Sequence, residues 1–267
     1  MTTAIAGIQA RMGSSRLPGK SLADLAGKPM LQRVAERALA AKGLSSVVVL
    51  TTTGPHDDAI ASFCGEVGLE CRRGSETDVL SRYLALVDEF DADYLVRITG
   101  DCPLISPDHI DFQVQALRET DCDFTCLPPG VRSTVLEGQG AMSVRALRRA
   151  GGSDDPRDRE HVGSFYFNEH VDEFRHVELS CAPELLRTDL RITVDQAEDL
   201  ELLRAVFHHF APADDSLASL AEVLSWLDSE PSLARLNRAV TNSSETRLAH
   251  ESQANARRAI AAYWPVG

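Results

Sequence analysis

The sequence has no apolar run approaching the roughly 20 residues that a membrane-spanning helix needs, no basic stretch ahead of its first apolar segment, and no paired cysteine motif. The first absence gives the expectation of a protein outside the membrane. The second makes the opening MTTAIAGIQARMG a first strand running into a Gly-containing segment, not a signal peptide, so the expected location is the cytoplasm. The six cysteines, Cys64, Cys71, Cys102, Cys122, Cys126 and Cys181, are scattered, which predicts free thiols. Cys122 and Cys126 lack two further ligands at a spacing that zinc would need. Positive charge is short as well: 27 Lys and Arg against 40 Asp and Glu give a net charge of −13. That balance speaks against nonspecific nucleic-acid binding, which requires a basic surface to displace counterions. An anionic small molecule would need a local basic pocket working against the global field. There is no internal repeat or low-complexity tract.

What is present is an alternation. Apolar runs at residues 4–8, 47–50, 69–71 and 94–98 read as strands, and amphipathic stretches at 30–41, 59–67 and 79–90, with one beginning after Pro107, read as helices. Strands alternating with helices imply a mostly parallel sheet covered on both faces. From 122 to 181 the pattern breaks at Pro128-Pro129-Gly130, Gly138, Gly140 and Gly151-Gly152, which reads as a β-rich insertion. Regularity returns with a strand at 190–194 and a helix at 197–210. Helical periods at 217–227, 231–239 and 245–263 then predict a helical C-terminal appendage over 211–267, after a main domain of 1–210.

The loop after the first strand reads Gln9-Ala10-Arg11-Met12-Gly13-Ser14-Ser15-Arg16-Leu17-Pro18-Gly19-Lys20. Glycines let backbone N–H groups approach phosphate oxygens, serines add hydroxyl donors, and Arg11, Arg16 and Lys20 bring positive charge to one end of the sheet. Three cations within twelve positions of an acidic protein suit a triphosphate cradle better than an ordinary solvated loop. The spacing fits neither GxxxxGK[ST] nor GxGxxG, which disfavours those two nucleotide-binding folds.

This run, with Gly27-Lys28-Pro29-Met30-Leu31, resembles the signature of the CMP-sugar synthetase superfamily of acylneuraminate and Kdo cytidylyltransferases, and within it the spore-coat polysaccharide biosynthesis F-type subgroup. The resemblance extends from about Ile5 to Leu203 and implies a Rossmann-like, GT-A type α/β fold. It further implies a magnesium-dependent cytidylyltransferase for polysaccharide biosynthesis, with CTP and a small acidic or sugar-like acceptor as partners, acting as a homodimer. In that frame Gln9, Ala10, Gly13, Ser14 and Ser15 bind nucleotide, while Arg11, Arg16 and Lys20 stabilise the departing pyrophosphate. Arg73, Gly74, Ser75 and Asp78 face the base or its helix cap; Asp78 reads equally as a helix N-cap.

Gly100-Asp101-Cys102-Pro103-Leu104 resembles the family's GDxPL element, at the carboxyl end of a strand where open α/β sheets place their ligands. Asp101 then holds Mg²⁺ and joins the catalytic set, against the alternative of an Asp that only caps its turn. Thr193-Val194-Asp195 resembles the second acidic element and makes Asp195 the other metal-side carboxylate, or a plain N-cap. Asp158-Arg159-Glu160-His161-Val162 resembles a subgroup element that supplies acceptor contacts through Arg159, Glu160 and His161; His161 reads equally as a satisfied or surface histidine. Arg97 joins these. Leu136-Glu137-Gly138-Gln139-Gly140 has glycines where the subgroup carries acidic residues, which leaves Glu137 and Gln139 as acceptor-side polar groups. The alternatives are a GTP- or UTP-dependent sugar-phosphate pyrophosphorylase, a GT-A glycosyltransferase, for which a DxD pair is missing, or a non-catalytic binding module.

Overall fold

The structure, a computed structural model, describes residues 2–210, 218–238 and 259–263. Its first part runs β1 (Ala4–Gln9), a small hairpin of β2 (Asp24–Leu25) and β3 (Lys28–Pro29), α1 (Met30–Leu39), β4 (Ser46–Thr52), α2 (Asp58–Val67), β5 (Cys71–Gly74), α3 (Val79–Glu89), β6 (Tyr94–Thr99) and α4 (Pro107–Thr120). There follow β7 (Phe124–Cys126), β8 (Gln139–Ser143), α5 (Val144–Ala150), α6 (Pro156–His161), α7 (Ser164–Glu169), β9 (His176–Ser180), α8 (Ala197–Phe210), α9 (Leu220–Ser229) and β10 (Ala259–Tyr263).

Eight strands form one sheet in the order β10-β9-β7-β8-β6-β1-β4-β5. β8 runs antiparallel to β6 and β7; the other neighbours are parallel. The mostly parallel α/β fold read from the sequence is therefore correct. The middle strands are apolar throughout because both faces are covered. Ala4, Ala6 and Ile8 pack with Leu31 and Val34 of α1 and Ile110 of α4. Ile5, Val48 and Leu50 pack with Leu80, Tyr83 and Leu147 on the other face. A third cluster, which includes Met30, Leu136, Ile192 and Leu203, joins α8 and α9. Helix starts are fixed by side chains: Asp78 accepts the Ser81 N–H at 2.9 Å and Ser106 the His109 N–H at 3.2 Å, each satisfying a donor that the first turn leaves open.

Four expectations change. The third strand is Cys71–Gly74, displaced toward the basic pair Arg72-Arg73, because pairing with β4 decides its limits. Residues 122–181 are not only strands: β7, β8 and β9 lie inside the main sheet with a partner on each side, and α5, α6 and α7 lie between β8 and β9. They present no open edge, so the homodimer expectation rests on the resemblance alone. Residues 190–194 form no strand. Leu190, Ile192 and Val194 alternate inward as in a strand, but they face the third cluster, and the Val194 N–H donates to the Asp101 carbonyl at 2.8 Å instead of to a ladder. In the expected C-terminal helices, 231–238 is a series of turns and Ala259–Tyr263 is a strand beside β9; the rest of the 245–263 helix lies outside the described residues. Among the described residues no helix is long and apolar enough to cross a membrane.

Candidate active site

The carboxyl ends of β1, β4 and β6 are laced together before the chain leaves them. The Ala10 N–H donates to the Leu50 carbonyl at 3.1 Å, and the Gly100 N–H to the Gln9 carbonyl at 2.9 Å. A Cβ at Gly100 would stand 2.8 Å from that Gln9 oxygen, so glycine is required for this approach. The basic loop then folds back on itself: the Met12 carbonyl accepts from both Ser14 N–H and Gly19 N–H at 3.0 Å, and the Met12 N–H is held by Asp57 Oδ1 at 2.6 Å. Gly19, at φ 77°, makes the left-handed turn that sends Lys20 back toward the sheet.

Lys20 is the centre of the site. Its Nζ donates to Asp101 Oδ2 at 2.8 Å, to Asp195 Oδ1 at 3.1 Å and to the Val194 carbonyl at 2.6 Å, which uses all three ammonium donors. Burial lowers the Lys20 pKa, but the two carboxylates outweigh it and the pKa ends above its ordinary value. Burial likewise raises Asp101, and the Lys20 charge overcomes it, so its carboxyl ends below the usual range. Both are charged at neutral pH. Arg16 reaches Asp195 Oδ1 at 2.9 Å from a half-exposed position, and Arg191 grips Asp195 Oδ2 at 2.5 Å. The Cys102 thiol, 3.6 Å from Asp101 Oδ1, is pushed well up by burial and then by that carboxylate, and so stays protonated.

Asp101, Asp195 and Arg16 stand on the wall of a cleft of about 530 Å³ that opens beside the sheet. Its floor follows from a splay: β7 and β8 pair only at Phe124 and Met142, and beyond that pair the Ala141 N–H is taken by Gln113 Oε1 at 2.9 Å, which also accepts the Thr125 hydroxyl at 2.7 Å. Gln139 Oε1 accepts the Ser106 N–H at 3.1 Å. Gln9, held by Arg97 Nε at 3.2 Å and by the Tyr83 hydroxyl at 3.3 Å, lines the cleft with Arg97. Glu137, Gln139 and His161 also line it, and Phe124, Phe165 and Phe167 give it an aromatic side. His109 borders it too; burial depresses its pKa to about 3, so the ring is neutral.

The structure thus brings together Gln9, Arg16, Lys20, Asp101, Asp195, Arg97, Glu137, Gln139 and His161, from elements spread over the chain. Arg11, Gly13 and Ser15 are exposed on the loop, Ser14 is half-buried, and Ala10 is buried by the lacing. Others have different tasks. Arg73 is tied to the Thr52 and Gly54 carbonyls and to Asp58 at 2.7 Å. Asp78 caps α3 with one oxygen and takes Arg159 with the other at 2.6 Å. Arg159, which also donates to the Gly151 carbonyl at 3.0 Å, and the exposed Glu160 are not among the cleft residues; the short helix α6 turns them away while delivering His161. Gly74 lies against Arg82, and Ser75 is exposed, holding the Asp78 N–H at 3.0 Å.

Sequence reasoning missed Arg191, Gln113 and Asp57. Arg191 had one available signal, its i, i+4 spacing to Asp195. Asp101 and Asp195 converge on a single cation here, and among the described residues no three His, Cys, Asp or Glu side chains gather into a metal cage. Two hard oxygen ligands that meet at the Lys20 ammonium, with Arg16 and Arg191 also on Asp195, fit a Mg²⁺ ion whose other positions are filled by phosphate oxygens and water.

A family model described as cytidylyltransferase matches residues 5–210. The spore coat polysaccharide biosynthesis protein SpsF of Bacillus subtilis is 30% identical over 85% of this chain and 95% of its own length. The 8-amino-3,8-dideoxy-manno-octulosonate cytidylyltransferase of Shewanella frigidimarina is 38% identical over 61% of this chain and 60% of its own. Among solved structures, a cytidylyltransferase from Leptospira borgpetersenii superposes with a TM-score of 0.80 at 28% identity, covering 91% of this chain and all of that one.

Proposed function

The chain belongs to the cytidylyltransferase family, and on that premise we propose that it transfers CMP from CTP to a sugar acid or a related small acidic acceptor, releasing pyrophosphate. The observation that carries this reading is the convergence of Lys20, Asp101 and Asp195 at the edge of the cleft, directly behind the basic loop. The triphosphate lies along Gly13 to Lys20, and the acceptor fills the cleft between Arg97, Gln139 and His161.

In the reaction an acceptor oxygen attacks the α-phosphorus, the bond from that phosphorus to the bridging oxygen breaks, and pyrophosphate leaves with the electron pair. Lys20 and Arg16 balance the charge that accumulates on the leaving group, and preorganised cations are effective in such a place because they need no reorganisation. Arg97 orients the acceptor's anionic group. A carboxylate or phosphonate acceptor needs no general base, whereas a sugar hydroxyl does, and His161 is the cleft residue for that task. Mg²⁺ held by Asp101 and Asp195, when bound, supplies Lewis-acid neutralisation of the phosphates. Lys20 keeps the two carboxylates together until then. The protein works as a homodimer in this reading, as the resemblance implies.

The test is a screen of CTP, UTP, GTP and ATP against sugar acids, sugar phosphates and phosphonates, read as pyrophosphate. Release with CTP and a sugar acid is expected; release only with UTP or GTP and a sugar phosphate would replace this reading by a pyrophosphorylase.

A further inference from the structure

Asn237 lies past the family-matched region of residues 5–210, in the turns after α9, yet only 2% of it is exposed. Its amide nitrogen donates to Asp199 Oδ1 at 2.7 Å and to the Arg191 carbonyl at 2.9 Å. Asp199, fully buried in the first turn of α8, uses its other oxygen to accept the N–H groups of Asp195 and Gln196, both at 2.9 Å. Arg191 in turn grips Asp195 Oδ2 at 2.5 Å and places its Nε 3.1 Å from Asp199 Oδ1. Besides Lys20 and Arg16 on its Oδ1, Asp195 is therefore held by Asp199 at its backbone N–H and by Arg191 at its Oδ2, and a single residue of the C-terminal segment holds both of these partners.

We propose that Asn237 is a positioning residue for Asp195, and that the segment after α9 sets the geometry of the metal-side carboxylate from outside the family domain. This rests on the reading of Asp101 and Asp195 as the Mg²⁺ ligands. Loss of the Asn237 donors leaves Asp199 Oδ1 with Arg191 alone and frees the Arg191 carbonyl, so the loop at 191–196 can shift. Loss of a group hydrogen-bonded directly to a ligand weakens metal binding about 10- to 100-fold, and Asn237, which acts through Asp199 and Arg191, belongs at the lower end of that range. Leu233, four residues before Asn237, packs on the third cluster and touches neither support in this way, which makes it the control for stability alone.

The experiment titrates Mn²⁺ into the full chain with CTP held below the protein concentration and follows free Mn²⁺ by electron paramagnetic resonance, counting only uptake beyond that of the same CTP without protein. Asn237→Leu is expected to weaken Mn²⁺ binding about tenfold, with CTP binding in EDTA unchanged; should it not fold, Asn237→Ser is measured in its place. Leu233→Ala is expected to lower the melting temperature and leave Mn²⁺ affinity at the wild-type level. Wild-type Mn²⁺ affinity in the Asn237 variant, or equal weakening by Leu233→Ala, overturns the proposal. No Mn²⁺ uptake by the wild type with CTP bound overturns the reading of the two ligands themselves, and the proposal with it.

Discussion

Lys20 Nζ lies 2.8 Å from Asp101 Oδ2 across 81 residues of sequence, at the meeting of two loops that leave adjacent strands. The pair helps explain why two carboxylates can stand together at the carboxyl end of the sheet of an already acidic chain: one ammonium bridges them, and Arg16 and Arg191 add positive charge at Asp195. It also ties the basic loop to the loops that carry Asp101 and Asp195, through a contact that, in the proposed function, a triphosphate and a divalent cation would exchange for their own.

Lys20→Met leaves Asp101 and Asp195 facing each other without their shared cation. Thermal melts in EDTA should show a loss of about 1–3 kcal/mol, and Mg²⁺ should recover more stability in the variant than in the wild type. Turnover should fall by about 10²-fold or more, the scale of losing one preorganised charge-stabilising group. Arg16→Ala removes a rim ion pair instead, and should change stability by no more than about 1 kcal/mol while lowering turnover strongly, as loss of a group that stabilises the leaving pyrophosphate requires.

His109 predicts how stability depends on pH. Its pKa of about 3 in the folded chain stands below the ordinary 6.5, so the unfolded chain binds a proton that the folded one refuses as pH drops from 6.5 toward 3. Stability from this residue is full above 6.5 and declines below it, by about 2 kcal/mol at pH 5. Denaturant melts of the wild type and His109→Gln at pH 7 and pH 5 should differ in their pH dependence by that amount; equal dependence would contradict the buried neutral ring.

The homodimer is tested by light scattering at micromolar concentration, where the mass should be twice that of the single chain. A single-chain mass would remove it.

Much of this site was legible because its chemistry lies in contiguous runs. The basic loop, Asp101 and Asp195 each follow an apolar stretch and precede a turn, and local order places them at one end of the sheet. What was not legible depends on distant contacts. Residues 190–194 carry the alternation of a strand, since a core cluster and a sheet face impose the same period on an extended chain. Arg159 sits beside His161 in sequence, but the pairing that turns it to Asp78 comes from 81 residues away. Gln113 looks like one more residue of α4; only the splay of β7 from β8 gives its oxygen a backbone donor to hold.

The central claim is that Asp101 and Asp195 together hold the metal that Lys20 now stands in for. Asn replaces Asp with little change in volume and caps a helix about as well, so Asp101→Asn and Asp195→Asn separate ligation from local structure. The deciding measurement is pyrophosphate release against Mg²⁺ concentration for both variants, using the nucleotide and acceptor that the screen identifies. The account predicts that turnover collapses in each while the fold persists; a wild-type Mg²⁺ curve for Asp101→Asn would contradict it.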